Sequence, residues 1–178
     1  MLMQVFIKWF KAVLAFTLLA GAASAFATTD ITNRDVQALR GLKAVVLLDP
    51  ELDDVAKAAG VTHALIAKRV AVYLRDVGVK VITDADLRPA DRAQTASLLL
   101  QYGAIGPSHG SPQGRGTATF VTINVLREKP GDAEAVSHPV YIVQERGQAR
   151  GKVTRNFLMK ELDLALNMLR EDLRRAKR

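Results

Sequence analysis

The chain has 178 residues, with 25 lysines and arginines against 18 acids and a formal net charge of +7. It contains no cysteine, which excludes disulfides, thiolate metal sites, cysteine nucleophiles and a lipid-modified N-terminal cysteine. A core of apolar side chains must therefore hold the fold, and a domain of about 150 residues buries enough surface to do so.

Residues 1–27 have the three regions of an export signal. Lys8 and Lys11 give a positive start, and no acid precedes Asp30. The run from Ala12 to Ala20 is apolar and helix-favouring. Two overlapping small-x-small sites follow, Ala23-Ser24-Ala25 and Ala25-Phe26-Ala27, so cleavage is expected before Phe26 or Thr28. Beyond Lys11 the apolar stretch runs only about 15 residues, short of the roughly 20 needed to cross a bilayer. The mature protein is expected in the periplasm or secreted, without a transmembrane span. Losing two lysines and no acid leaves it at +5.

Residues 28–43 read as a polar leader with a helical turn near Asp35–Arg40, and residues 44–178 as one domain. Ala44–Leu48 is a continuous apolar run closed by Asp49-Pro50, the pattern of a strand covered on both faces. A helix is expected over Thr62–Val77, because Ile66, Val70, Tyr73, Leu74 and Val77 make one stripe, with Thr62 as cap and Gly78 past its end. Val79–Thr83 is the next strand, joined to the first by a right-handed crossover. Asp84–Gln94 reads as a loop. Ala96–Tyr102 fits a strand, although Leu98-Leu99-Leu100 also suits a helix. The glycines and prolines of Gly103–Gly116 mark a long loop. Thr117–Arg127 alternates as a strand, Pro130-Gly131 marks a turn, and Val140–Ala149 returns as a hairpin partner. From about Val153 the residues Leu158, Leu162, Ala165, Leu166, Leu169 and Leu173 give a long helix one buried face. The order β-α-β-β-β-β-α predicts an α/β domain of two layers, a mixed sheet with both helices on one face.

This order, with the strand Ala44–Asp49, the segment Tyr73-Leu74 to Gly78-Val79-Lys80-Val81, and Tyr141-Ile142-Val143 before the long helix, resembles small exported bacterial envelope domains. It is similar to the amino-terminal domain of the Tol-system propeller protein and to the soluble domain of the curli-secretion channel family. The resemblance implies assembly or recognition rather than catalysis. The chain departs from many such domains in lacking a lipid-anchoring cysteine.

Gly106-Pro107-Ser108-His109-Gly110 matches G-x-S-x-G, and Asp132 and His138 follow in hydrolase order. The nucleophile elbow needs a helix directly after the serine, and the glycines and Pro112 that follow forbid one. A hydrolase using this loop is the alternative reading. The same loop lacks the spacing of a phosphate-binding P-loop, since only Arg115-Gly116-Thr117 stands where Lys-Ser/Thr is required. His109 and Arg115 are its polar contact candidates. Asp49, Glu51, Asp53 and Asp54, with Asp84 and Asp86, are expected at one sheet edge, where Asp49 and Asp84 are binding candidates. Asp54 and Gly60 break the calcium-loop pattern, and His63, His109 and His138 lack metal-ligand spacing, so neither metal nor cofactor is expected. The basic end of the last helix makes Arg174 and Arg175 candidates for an anionic surface, although the helix dipole alone favours cations there. Few aromatics and an exported location argue against nucleic acid. The expected partner is an envelope protein or an anionic envelope component.

Overall fold

The computed structural model describes residues 34–105, 116–128 and 137–178. The first apolar run forms β1 (Ala44–Leu47), and after Asp49-Pro50 the chain resumes as β2 (Glu51–Leu52). A short helix α1 (Asp54–Ala58) follows, capped by Asp53, whose carboxylate accepts from the Ala56 N–H at 2.8 Å. Helix α2 (His63–Arg75) starts at Thr62, whose hydroxyl accepts from the Leu65 N–H at 3.3 Å. Its buried stripe is Ile66, Val70 and Leu74. Gly78 then takes a φ of +67°, a left-handed turn that a side chain would oppose, and the chain reverses into β3 (Lys80–Ile82).

Strand β1 pairs in parallel with β3 on one side and with β4 (Thr95–Ile105) on the other. The antiparallel strands β5 (Thr117–Glu128) and β6 (Ser137–Ala149) complete the order β3-β1-β4-β5-β6, with β2 also parallel to β4. The step from β3 to β4 goes back across β1, opposite in direction to the step from β1 to β3. Both crossovers can be right-handed only if they lie on opposite faces of the sheet. Residues 84–94 accordingly form two 3-10 turns, Asp84–Asp86 and Pro89–Gln94, in place of the expected open loop.

Pairing on both sides decides the triple leucine. Leu98 and Leu100 are fully buried on the helix face, while Leu99 is half-buried on the other. Across the sheet they oppose Val125 and Ile123, which in turn oppose Tyr141 and Val143. Helix α3 (Arg155–Ala176), capped by Thr154, lays Leu158, Leu162, Ala165, Leu166, Leu169 and Leu173 on this surface. Helix α2 packs beside it. Arg170 lies 3.6 Å from Asp76 and its guanidinium stands 5.4 Å from the centre of the Tyr73 ring. The expected two-layer α/β architecture with a mixed sheet is therefore present, enlarged by β2 and α1. Among the described residues no helix is long and apolar enough to cross a membrane.

An acidic side chain lies inside this core. Asp172 of α3 is 0% exposed, and its Oδ2 accepts from Arg34 at 2.7 Å and from the Tyr141 hydroxyl at 2.9 Å. That hydrogen bond holds the Arg34 guanidinium above its ordinary pKa, while burial pushes the Tyr141 phenol upward. The contact closes the N-terminal arm onto α3 and β6.

Leu162→Ala is expected to cost about 2–5 kcal/mol through lost burial and the cavity left behind. The neighbouring Leu164 is 43% exposed, so Leu164→Ala is expected to stay within about 0.5 kcal/mol. Arg34→Ala is expected to cost about 1–3 kcal/mol, below a fully buried pair because the arginine is partly exposed. Urea titration of the three variants checks these values.

Candidate functional site

Where β4 and β6 begin and β5 ends, the arm and the second 3-10 turn leave a groove of about 700 Å³. Ala38, Ala93 and Val140 give it apolar walls, and Arg92, Arg127, Glu128 and His138 bring polar groups. Arg127 organises it. Its Nη1 donates to the carbonyls of Ala38 at 2.9 Å and Arg40 at 3.3 Å, and its Nη2 donates to that of Ala93 at 2.9 Å. Burial pushes its pKa down, yet a guanidinium stays protonated at any ordinary pH. Among the described residues no carboxylate pairs with it. Arg92 instead reaches both oxygens of Glu128, at 3.3 and 3.4 Å, in an exposed pair that costs little to open. A smaller hollow of about 100 Å³ continues past Arg92 and Glu128 to Asp84, Ser97 and Leu126. The groove can therefore accept an apolar side chain and a carboxylate side by side.

Strands β1 and β3 are parallel neighbours, so the acids singled out in the sequence follow them at one edge of the sheet, where they serve several local contacts. Asp49 pairs with His63 at 2.9 Å, and Asp53, besides capping α1, accepts from the Ala104 N–H at 2.6 Å. Asp84 instead opens the 3-10 crossover and lines the smaller hollow. Asp86 caps that turn by accepting from the Thr83 hydroxyl at 2.6 Å, which lowers its pKa. Among the described residues no group of three histidines or acids is placed to hold a metal. Arg174 bonds to Glu171 at 2.6 Å, and Arg175 approaches Asp172 at 3.4 Å. Ser108, His109, Arg115 and Asp132 lie outside the described residues. Sequence reasoning passed over Arg92, Arg127 and Glu128. Their signal was faint: two charges ending an alternating strand, with the carbonyl of Ala38 lying 89 residues away from Arg127.

A second polar cluster lies under α3. Glu161 is 4% exposed, and its Oε1 accepts from the Thr119 hydroxyl at 2.6 Å, while Oε2 has no hydrogen-bond partner. Gly147 leaves it room, since a β-carbon there would overlap Oε1. The Tyr102 hydroxyl, on β4, is also buried without a partner. Burial pushes the Glu161 carboxyl upward, the Thr119 bond opposes the shift, and the charge of Glu145 on β6 adds to it.

No family model and no curated protein matches the sequence. Among solved structures, the chain is similar to the lipoprotein GNA1162 of Neisseria meningitidis, at 12% identity and a TM-score of 0.34 over 71% of this chain and 96% of that one. It is also similar to a neuraminyllactose-binding hemagglutinin homologue of Helicobacter pylori, at 10% identity and a TM-score of 0.34 over 81% and 87%. A third is a minor lipoprotein of Acinetobacter baumannii, at 15% identity and a TM-score of 0.32 over 75% and 90%. Likenesses at these scores carry no function over to this chain.

A raised carboxyl pKa means that the fold favours the protonated form of Glu161. Its contribution is full below the ordinary carboxyl range and is lost as pH rises through the raised value. Glu161→Gln keeps an acceptor for Thr119 without the charge. The stability of the variant relative to the native chain is expected to grow over the window that opens at the ordinary carboxyl range, about pH 4, as pH rises. Parallel melting curves across that window would contradict the assignment.

Proposed function

We propose that the protein is an exported recognition module of the bacterial cell envelope, working in the periplasm or secreted, which holds an acidic, extended segment of a protein partner in the groove. The observation that carries this reading is the charge of Arg127. It is half-buried beside apolar walls, and its hydrogen-bond acceptors among the described residues are backbone carbonyls. A carboxylate from outside would complete its coordination with a charge-assisted bond, stronger than a neutral one. The Arg92–Glu128 pair at the rim can open to share that carboxylate and is exposed enough to do so. Strand β6 is the last in the sheet, and Ser137 to Pro139 are exposed, so an extended chain can lie along its outer side. Export follows from the leader read in residues 1–27, and the resemblance to exported envelope domains supports the same assignment.

Affinity capture from envelope extracts tests the reading. Arg92→Glu and Val140→Glu place a negative charge in the groove, and each is expected to weaken capture about tenfold or more, a loss of at least about 1.4 kcal/mol. Lys152→Glu, at the far end of the sheet, is expected to capture the same species as the native chain. Equal capture by all three variants would move recognition away from the groove.

A further inference from the structure

We infer that the end of the domain carrying the first residues of β1 and β3 and the last turns of α2 and α3 is a docking surface for an anionic lipid membrane. This surface lies beside the groove but does not depend on it. The Lys80 N–H bonds to the Lys43 carbonyl at 2.9 Å, so two lysines open neighbouring strands. Lys177, at the end of α3, donates to the carbonyl of Val77, three residues before Lys80. Arg75 stands in the last turn of α2, and Arg40 precedes Lys43 with its carbonyl held by Arg127. Arg40, Lys43, Arg75, Lys80 and Lys177 are all exposed, and among the described residues none pairs with an acid. The acids of the adjoining turns are engaged: Asp76 with Arg170 at 3.6 Å, Glu171 with Arg174 at 2.6 Å, and Asp172 inside the core with Arg34. Two helix C-termini end here and carry partial negative charge, which Lys177 offsets at α2 by covering the Val77 carbonyl.

The shape of this surface favours a lipid face over a small anion. The five cations come from the arm, two strand starts and two helix ends, and none of them lines a hollow described above. A broad array of exposed cations fits an extended anionic plane, where each lysine or arginine close to the surface adds attraction.

Sedimentation of the exported chain with vesicles tests the inference. One set of vesicles is phosphatidylglycerol and phosphatidylcholine in equal parts, and the other is phosphatidylcholine alone. Each cation near an anionic surface contributes roughly fivefold in affinity, so Arg40→Glu, Lys43→Glu and Lys80→Glu together are expected to weaken binding at least about 100-fold. Arg150→Glu, Lys152→Glu and Arg155→Glu together change the net charge by the same amount at the other end of the sheet. Those residues are also exposed, and this second triple variant is expected to bind within about fivefold of the native chain. Thermal melting confirms that both triple variants are folded. The native chain is expected to leave the vesicles at about 1 M salt, where the screening length falls to about 3 Å. Val140→Glu is expected to bind vesicles as the native chain does, which separates this surface from the groove. Equal losses in the two triple variants would show that only net charge matters and would overturn the assignment. So would equal binding to phosphatidylcholine alone, or competition by free glycerol phosphate. Preferential binding to heparin over the anionic vesicles would likewise overturn it, pointing to a polysaccharide.

Discussion

A buried carboxylate must find partners or lose its charge, and in this fold Asp172 has found them in three separate segments. Arg34 brings the arm, Tyr141 the edge strand, and Arg175 the next turn of its own helix. The contact has consequences beyond α3. Once Arg34 is fixed, the 3-10 turn Val36–Leu39 follows, capped by Asp35 and anchored by Leu39, which is 2% exposed. That turn presents the carbonyls of Ala38 and Arg40 to Arg127, and Ala38 becomes a wall of the groove. The groove is therefore a product of the arm, and the arm is held by one carboxylate in the core. A groove made this way is preorganised, because the cost of ordering it is met during folding.

Helix α3 carries two acids on its sheet face, and they are in opposite circumstances. Asp172 has a cation and a phenol on the same oxygen. Glu161 has one hydroxyl and, among the described residues, no cation, and the like charge of Glu145 acts on it. Coulomb attraction offsets much of the desolvation cost in the first case and none of it in the second. The carboxyl at 161 is therefore held toward its neutral form, while Asp172 has the partners an ionised group needs. The requirement for glycine at 147 belongs to the same site, since only a missing side chain leaves space for the Glu161 head group.

Much of the architecture was legible because local patterns and tertiary packing agree. The stripe of α2, its Thr62 cap and the turn at Gly78 are all written within residues 62–78. The leucine stripe of α3 meets the alternating residues of β5 and β6 as its period requires. What escaped reading depends on contacts distant in sequence. Strand β2 exists because Glu51 and Leu52 find Gln101 and Tyr102 on β4, and two residues alone make no periodic pattern. The turns over residues 84–94 carry the chain from β3 back across β1 to β4, a connection that the strand order requires and that composition does not reveal. Even the alternation of β5 understated its environment. Thr122 and Asn124 lie opposite the helices, yet are 4% and 9% exposed, hydrogen-bonded to Gln144 and Gln101 in cross-strand pairs. The site was the least legible part, since Arg127 takes its meaning from carbonyls on the arm and on the second 3-10 turn.

Composition gave a modest positive excess, and the fold distributes it unevenly. At the C-terminal end of β1, carboxylates are consumed by local structure: Asp49 on His63, Asp53 as the cap of α1, and Asp54 facing Lys57. These pairings follow from the loop that β1 must make on leaving the sheet, where short polar side chains satisfy exposed backbone groups. At the opposite end Lys43 precedes β1, Lys80 opens β3, and the last turns of α2 and α3 carry arginines, in keeping with the sign of the helix dipole. Most acids there are already paired, and one of them is buried. The same rules of capping and burial that stabilise the two ends thus leave them with different electrostatic character. Net charge is a property of composition, but the direction in which a charged domain faces a surface is set by where its acids are tied down. In this chain those ties run through Asp53 at one end and Asp172 at the other.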